Sequence, residues 1–236
     1  MPNSSSLFLT FYLSVSLFGV FFVLVLALNP PTIYESFPWR KPVVGLFFGI
    51  ICVLGIFAAL FPRQCMGSIH FRSSEKNFKS RWVPATSKGH HPRCQKFYSH
   101  VIKIRDRILC AACTGLLVGA LLAIAGTILY FFLGLGINES LLSVSVGTFG
   151  ILIGFFQLKF RGFARSILNV CFVVGSFLIL AGIDRLVQSV IIDLFVTLLI
   201  IFWLFTRIQL SHWDHERTCN RCKSLNKTCE LEKRQG

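Results

Sequence analysis

Six apolar runs, each long enough to cross a bilayer, limit what this chain can fold into. They span residues 7–28, 43–61, 108–133, 141–158, 167–182 and 186–205. A transmembrane helix needs about 20 mostly apolar residues, and the whole chain is 54% hydrophobic with a mean hydropathy of +0.67. A soluble domain of this size has a far more polar surface. The sequence therefore predicts an all-α integral membrane protein with about six transmembrane helices.

The basic residues indicate how these spans are oriented. With six spans, the N-terminus, the loop 62–107, the short segment 159–166 and the C-terminal tail share one side, and they carry 21 of the 24 Lys and Arg residues. Lys and Arg accumulate on the cytoplasmic side of membrane proteins. We therefore expect a multi-pass protein of the cell membrane with both termini in the cytoplasm. The first run exceeds the apolar core of a signal peptide, about 7–15 residues, so we expect it to remain as a span.

The net charge of +14 is explained by this topology. The basic residues lie in the segments between apolar runs and do not form one soluble basic surface. We therefore expect the lipid bilayer as a partner and no specific nucleic acid. Anionic lipid headgroups would also favour such an interface.

Two segments are long enough to form structure outside the bilayer. The sequence predicts a transmembrane domain over residues 1–206, with a cytoplasmic loop at 62–107, followed by a cytoplasmic Cys/His-rich tail at 207–236. Neither segment is long enough to bury an apolar core of its own. A bound metal is a common way to order so small a unit.

The first group of candidate metal ligands surrounds the start of the third span. Cys110 and Cys113, here called the C-A-A-C pair, are three residues apart, a spacing that points both thiols in one direction in a helix or tight turn. Cys94 and the imidazoles of His90 and His100 are near enough in sequence to complete four ligands. A set of three Cys and one His suits tetrahedral zinc. Unligated thiols at a helix end remain the alternative.

The second group lies in the tail. Cys219 and Cys222 form another C-x₂-C motif, Cys229 follows after six residues, and His215 precedes them. These four could bind their own zinc ion, or Cys219 and Cys222 could join the C-A-A-C pair in one shared four-cysteine site. The mixture of His and Cys favours zinc as the cofactor. An iron–sulfur cluster or a single iron held by four cysteines is less expected.

The start of the third span resembles a known pattern. A poorly characterised family of prokaryotic polytopic membrane proteins has an upstream Cys, then C-x₂-C-T-G-x₃-G entering a transmembrane helix. The matching residues here are Cys94, Cys110, Cys113, Thr114, Gly115 and Gly119. This chain differs in having His90-His91-Pro92 before Cys94, where the family tends to have His-x-x-Pro after its first Cys. The resemblance implies a membrane-associated metal or thiol site and no particular activity.

Three functions are compatible with these features. The first is a non-enzymatic membrane protein whose cytosolic segments are held by zinc, with docking of a cytosolic protein partner as its role. The second is a membrane thiol oxidoreductase that uses Cys110 and Cys113. The third is a small transporter, for which Asp193 inside the last span is the main indication. The familiar motifs of hydrolases and nucleotide-dependent enzymes are missing from the sequence, so we favour a non-enzymatic role and keep the oxidoreductase as the enzymatic alternative.

Small residues and tryptophans suggest how the spans pack. Small residues recur at four-residue spacing, which allows helix backbones to approach closely; they are Gly45 and Gly49, Gly115, Gly119 and Ala123, and Gly150 and Gly154. Trp39 and Trp203 are expected at the membrane interfaces. Asp184 and Arg185, which interrupt the apolar pattern, are expected to form a pair between the last two spans.

Overall fold

The computed structural model describes residues 4–31, 38–60, 101–104, 107–136 and 138–235. For residues 4–6, 101, 103–104, 107–109, 215, 216 and 218–235 the description covers the backbone only. The elements in chain order are α1 (Ser4–Leu28), α2 (Arg40–Leu60), β1 (Val101–Ile104), β2 (Arg107–Cys110), α3 (Ala111–Thr127), α4 (Ser140–Phe155), α5 (Gly162–Val187) and α6 (Val190–Gln235). A π-helical turn, Ile128–Phe132, extends α3, and a 3₁₀ turn, Phe156–Lys159, extends α4.

All six helices in the described part of the chain are long and apolar enough to cross a membrane. Their outward surfaces carry large apolar side chains, and Phe18, Phe149 and Phe163 are each more than 60% exposed. Such a surface is stable against lipid tails and not against water. The predicted all-α membrane fold with six spans is confirmed, and the protein is a multi-pass membrane protein.

Proline sets two of the helix boundaries. Helix α1 ends at Leu28, just before Pro30 and Pro31, which lack the backbone N–H that a continuing helix would need. Helix α2 has Pro42 in its first turn, where that missing N–H has no intrahelical partner in any case. The two prolines after α1 therefore end the first span near the residue expected from the sequence.

Helix α5 is the centre of the bundle. It is the most buried span and packs along most of its length against α3 on one side and α4 on the other. Helix α2 packs against α3, and α1 packs against α6. Because α5 crosses the whole bundle, it reaches both of its ends. We name these the Cys110 end, where α3 and α5 begin, and the Arg40 end, where α2 and α6 begin.

Glycines permit this close packing. A Cβ atom at position 115 of α3 would collide with the backbone oxygen of Ser166 in α5 and would lie 2.9 Å from the Cβ of Asn169. On the other side of α5, a Cβ at Gly147 would lie 2.6 Å from the oxygen of Gly175. The expectation that small residues allow close approach is confirmed for Gly115, and Gly147, which was not in the predicted set, does the same. A Cβ added at Gly49 in α2, however, would have no heavy atom of the described residues within 4 Å beyond the backbone of its own helix.

The turn between α5 and α6 differs from the expected one. The sequence places it at 183–185, but α5 continues to Val187 and ends at Gln188, whose φ of 55° is left-handed. Asp184 is fully buried inside the helix. Its carboxylate has partners on neighbouring helices, described below, so it does not need to leave the bundle. A paired charge can therefore remain inside a span, and the turn forms at Gln188 and Ser189.

Trp203 lies in the core and not at an interface. Its side chain is fully buried, and its indole N–H donates to the backbone oxygen of Ser16 at 3.1 Å. The Ser16 hydroxyl donates to the Thr206 hydroxyl at 2.8 Å. The interfacial prediction is therefore wrong for Trp203, which joins α6 to α1. Trp39 is 67% exposed, as an interfacial residue would be.

The packing of α3 on α5 predicts opposite effects for two Gly→Ala substitutions. Gly115→Ala should destabilise the protein by about 1–3 kcal/mol because the new methyl group overlaps the α5 backbone. Gly49→Ala, the matched control, should be neutral or stabilise by up to about 1 kcal/mol, since alanine is the better helix former and the position is open. Unfolding of both variants in one detergent measures the difference. Equal stabilities would contradict the packing described here.

Candidate functional site

A short hairpin leads directly into the C-A-A-C pair. Strands β1 and β2 are antiparallel, with Val101 opposite Cys110 and Ile104 opposite Arg107. Cys110 ends β2 with an extended backbone and is also the N-cap residue of α3. The change from strand to helix therefore occurs between Cys110 and Ala111. The sequence predicted the helix start near this point but not the hairpin.

Both cysteines lie where α3 enters the bundle. Cys110 and Cys113 are partly buried, and Cys113 occupies the first turn of α3. The hydroxyl of Thr114 donates to the backbone oxygen of Cys110 at 2.9 Å. The two thiols are thus held on a rigid helix start, where backbone N–H groups favour negative charge.

A buried arginine on α6 faces this pair. Arg207 is 5% exposed, and its guanidinium is within electrostatic reach of the thiols of both Cys113 and Cys110. A guanidinium remains charged in proteins, so a fixed positive charge lies within electrostatic reach of the two sulfur atoms. The start of α3 and the Arg207 region of α6 therefore lie at the same end of the bundle, as the sequence anticipated.

Asn169 of α5 holds Arg207 in place. Its side-chain oxygen accepts hydrogen bonds from Nε of Arg207, at 2.7 Å, and from Nη2. Its side-chain nitrogen donates to the backbone oxygen of Arg165 at 2.7 Å. The Arg165 guanidinium in turn forms an ion pair with Asp214 of α6 at 3.2 Å. One asparagine thus connects both buried arginines at this end.

This arrangement suits ligands that become negatively charged. The group formed by Arg165, Arg207 and Asp214 has a net charge of +1 before the thiols are counted. Thiolates, the form that binds metal and attacks disulfides, would balance that charge. The residues therefore fit either a thiolate–metal site or a reactive dithiol.

The structure does not describe the side chains of the other seven predicted ligands. His90, Cys94 and His100 lie outside the described residues. His215, Cys219, Cys222 and Cys229 lie on α6, whose backbone continues to Gln235 as one helix, but their side chains are not described. Among the described residues no group of three or more His, Cys, Asp or Glu could hold a metal ion. The zinc site remains a prediction.

A second buried polar cluster lies at the Arg40 end. Nη1 of Arg40 donates to Oδ1 of Asp184 at 2.5 Å and to Oδ2 of Asp193 at 2.6 Å. The Tyr130 hydroxyl donates to Oδ2 of Asp184 at 2.7 Å. Each of these residues comes from a different element and is less than 7% exposed. Arg40 lies in α2 and Tyr130 in the π-helical turn that extends α3, while Asp184 lies in α5 and Asp193 in α6. We call these four residues the Arg40 cluster.

The π-helical turn supports this cluster. Its wider winding places Tyr130 and the neighbouring Phe131 both in the interior, each 3% exposed. The ammonium group of Lys41 lies 4.8 Å from the centre of the Tyr130 ring, in a cation–π contact. The expected partner of Asp184 was Arg185. The bonds seen in the structure go to Arg40 and Tyr130 instead.

Sequence reasoning missed the residues that support both clusters. Arg40 and Arg207 were counted only as markers of topology, and Tyr130 and Asn169 as ordinary members of spans. The available signal was that Asn169 interrupts the run 167–182 and that Arg40 and Arg207 lie within three residues of the runs 43–61 and 186–205. An isolated polar residue in a span usually faces a partner in the bundle, but the sequence does not say which one.

The comparisons with known proteins give no relative. No protein family model matches this chain, and no curated protein or solved structure matches it either. What the protein does must therefore be inferred from the residues themselves.

The bonds of Asn169 predict a large loss of stability on truncation. Asn169→Ala removes the acceptor for the buried Arg207 and should cost about 1.5–3 kcal/mol, the range for a hydrogen bond to a charged group. Ser145→Ala is the control, because this exposed hydroxyl bonds only within its own helix turn; it should change stability by less than about 0.5 kcal/mol. Chemical unfolding in detergent compares the two. A neutral Asn169→Ala would contradict the assigned role.

Proposed function

We propose that this multi-pass membrane protein carries a zinc site on its cytoplasmic face, built on Cys110 and Cys113. The metal would hold the loop 62–107, and with it a docking surface for a cytosolic protein, against the membrane domain. This role is structural and not catalytic. The observation that carries the proposal is the buried Arg207 within electrostatic reach of two cysteines at one helix start.

Charge balance supports a metal–thiolate site at this point. Zinc with three thiolates and one neutral imidazole has a net charge of −1, and zinc with four thiolates has −2. Such a site is costly near the membrane unless a positive charge lies beside it. Arg207, with Arg165 close behind it, supplies that charge. When bound, zinc would supply a cross-link between segments that cannot form a core of their own.

The remaining ligands would come from the predicted groups. His90, Cys94 and His100 belong to the loop, and Val101, the residue after His100, pairs with Cys110 in the hairpin. In that site, Cys94 and either His90 or His100 would complete the four zinc ligands. A tail site of His215, Cys219, Cys222 and Cys229, or a shared site of four cysteines, are the other arrangements. The likeness to the prokaryotic family is likewise part of the proposal.

The cytoplasmic orientation is also part of the proposal. It rests on the 21 basic residues that share one side of a six-span chain. It agrees with the chemistry proposed for the thiols, because the cytosol keeps cysteines reduced and available as metal ligands. The site in the cell membrane would then face proteins and metal of the cytosol.

A second candidate function is supported by the same residues. A thiol at a helix N-terminus beside a buried guanidinium is in a position that favours the thiolate, which is the nucleophile in disulfide exchange. C-x₂-C is also the spacing of many redox-active dithiols. Thiol oxidoreductase activity of Cys110 and Cys113 is therefore the alternative. It requires the pair to be without metal and to cycle between dithiol and disulfide.

Metal analysis separates these two functions. The full-length protein, purified in detergent under reducing conditions, should contain about one or two zinc ions per chain, and Cys110→Ser with Cys113→Ser should lose at least one. Cys171→Ser is the matched control, because this cysteine lies within α5, away from the hairpin, and it should retain all the zinc. Elemental analysis of the folded proteins measures the stoichiometry.

Thiol labelling in sealed vesicles tests whether metal protects Cys110 and Cys113 and on which side of the membrane they lie. With zinc bound, Cys110 and Cys113 should react slowly with a membrane-impermeant maleimide, and a chelator should accelerate labelling only when the cytoplasmic face is accessible. Metal-free protein whose two thiols form a reversible disulfide would support the oxidoreductase instead. Labelling only from the opposite face would contradict the proposed orientation.

A further inference from the structure

One buried oxygen atom in the Arg40 cluster has no hydrogen-bond partner among the described residues. Oδ2 of Asp193 accepts from Arg40, but Oδ1 is buried and has no hydrogen-bond partner among the residues that the structure describes. Asp193 is fully buried. Both oxygens of Asp184, in contrast, are occupied, one by Arg40 and the other by Tyr130. The two carboxyl groups of the cluster therefore differ in one acceptor position.

The charges of the cluster do not balance. One guanidinium faces two carboxyl groups, so two ionised carboxylates would leave a net charge of −1 in the bundle. An uncompensated buried charge and an unpaired buried acceptor are both costly inside a membrane protein. A single added positive charge at Oδ1 of Asp193 would remove both costs.

We propose that Asp193 is a proton-binding site, where one proton binds at Oδ1 and is exchanged with water at the Arg40 end. The carboxylate and a proton combine to form the neutral acid, and release reverses this step. Arg40 begins α2 and Asp193 is the fourth residue of α6. Both therefore lie within about one helical turn, roughly 5 Å, of the end of their spans. The proton needs to cross only that distance to reach water.

A proton fits this position better than a metal cation. Calcium and magnesium ions require about six or more oxygen ligands, and within the described residues no cluster of three or more His, Cys, Asp or Glu could hold a metal ion. A proton needs one oxygen, and the neutral acid it forms also gains a donor. The carboxyl group of Asp184 is close enough to Asp193 to interact with it electrostatically, so that donor would have an acceptor nearby.

Few charged groups of the described residues surround Asp193. Arg40 and Lys41 come from α2, Tyr130 from the turn after α3, and Asp184 and the exposed Arg185 from α5. Helix α1 contributes no charged residue, and Glu139, which precedes α4, is exposed. Proton binding weakens the ion pair between Arg40 and Asp193, while that between Arg40 and Asp184 remains. The contact between α2 and α6 would therefore respond to the proton.

Infrared spectroscopy can detect this proton directly. The full-length protein is reconstituted in phosphatidylcholine vesicles at neutral pH, once unlabelled and once with carboxyl-¹³C aspartate. We expect one carbonyl band of a buried carboxylic acid, shifted by the label. In Asp193→Glu the band should persist but lose its sensitivity to aspartate labelling, because the acid at position 193 is then a glutamate.

Two further variants define the outcome. Asp214→Asn, at the opposite end of the bundle, should keep the labelled band, and Asp193→Asn should lose it. Circular dichroism and gel filtration establish that each variant is folded. The proposal is overturned by wild-type protein that shows no such band. It is equally overturned by a band that stays label-sensitive in Asp193→Glu, which would place the proton on Asp184, or by a band that sodium ions remove.

Discussion

The close approach of α5 to its two neighbours is the constraint on which the rest of this protein depends. Glycine at positions 115 and 147 lets α3 and α4 pack directly against the α5 backbone. Without a hydrophobic driving force between helices in lipid, such packing is a main source of stability. It also fixes what α5 carries at its ends: Asn169 beside the thiols and Asp184 beside Arg40. Both polar clusters thus depend on one tightly held helix.

The two clusters leave opposite charges uncompensated. At the Cys110 end, Asp214 pairs with Arg165 while Arg207 is held by the neutral Asn169, so the surroundings favour negatively charged sulfur. At the Arg40 end, two carboxyl groups outnumber the one guanidinium, so the surroundings favour an added positive charge. Because charge inside a membrane must be compensated, these opposite imbalances indicate opposite kinds of ligand. The Cys110 end would bind a metal through thiolates, and the Arg40 end a proton.

The sequence predicted what depends on local pattern and missed what depends on contacts between distant residues. Apolar length alone located the six spans, and residue spacing identified Cys110 and Cys113. Neither pattern could pair Arg40 with Asp184, which is 144 residues away. The turn was predicted at 183–185 because Asp184 and Arg185 interrupt the apolar pattern there. Trp203 was assigned to an interface because tryptophan is enriched there. Its bond to Ser16, which is 187 residues away in sequence, could not be read from the local pattern. Hydropathy describes the preference of a residue for lipid and not the partner it finds.

The central claim is that Cys110 and Cys113 bind zinc through their sulfur atoms. X-ray absorption at the zinc edge of the purified full-length protein tests it most directly, because the method reports the ligand atoms themselves. The account predicts a first shell dominated by sulfur at about 2.3 Å, with no more than one nitrogen ligand at about 2.0–2.1 Å. A first shell of nitrogen and oxygen alone, or folded protein without bound zinc, would contradict it.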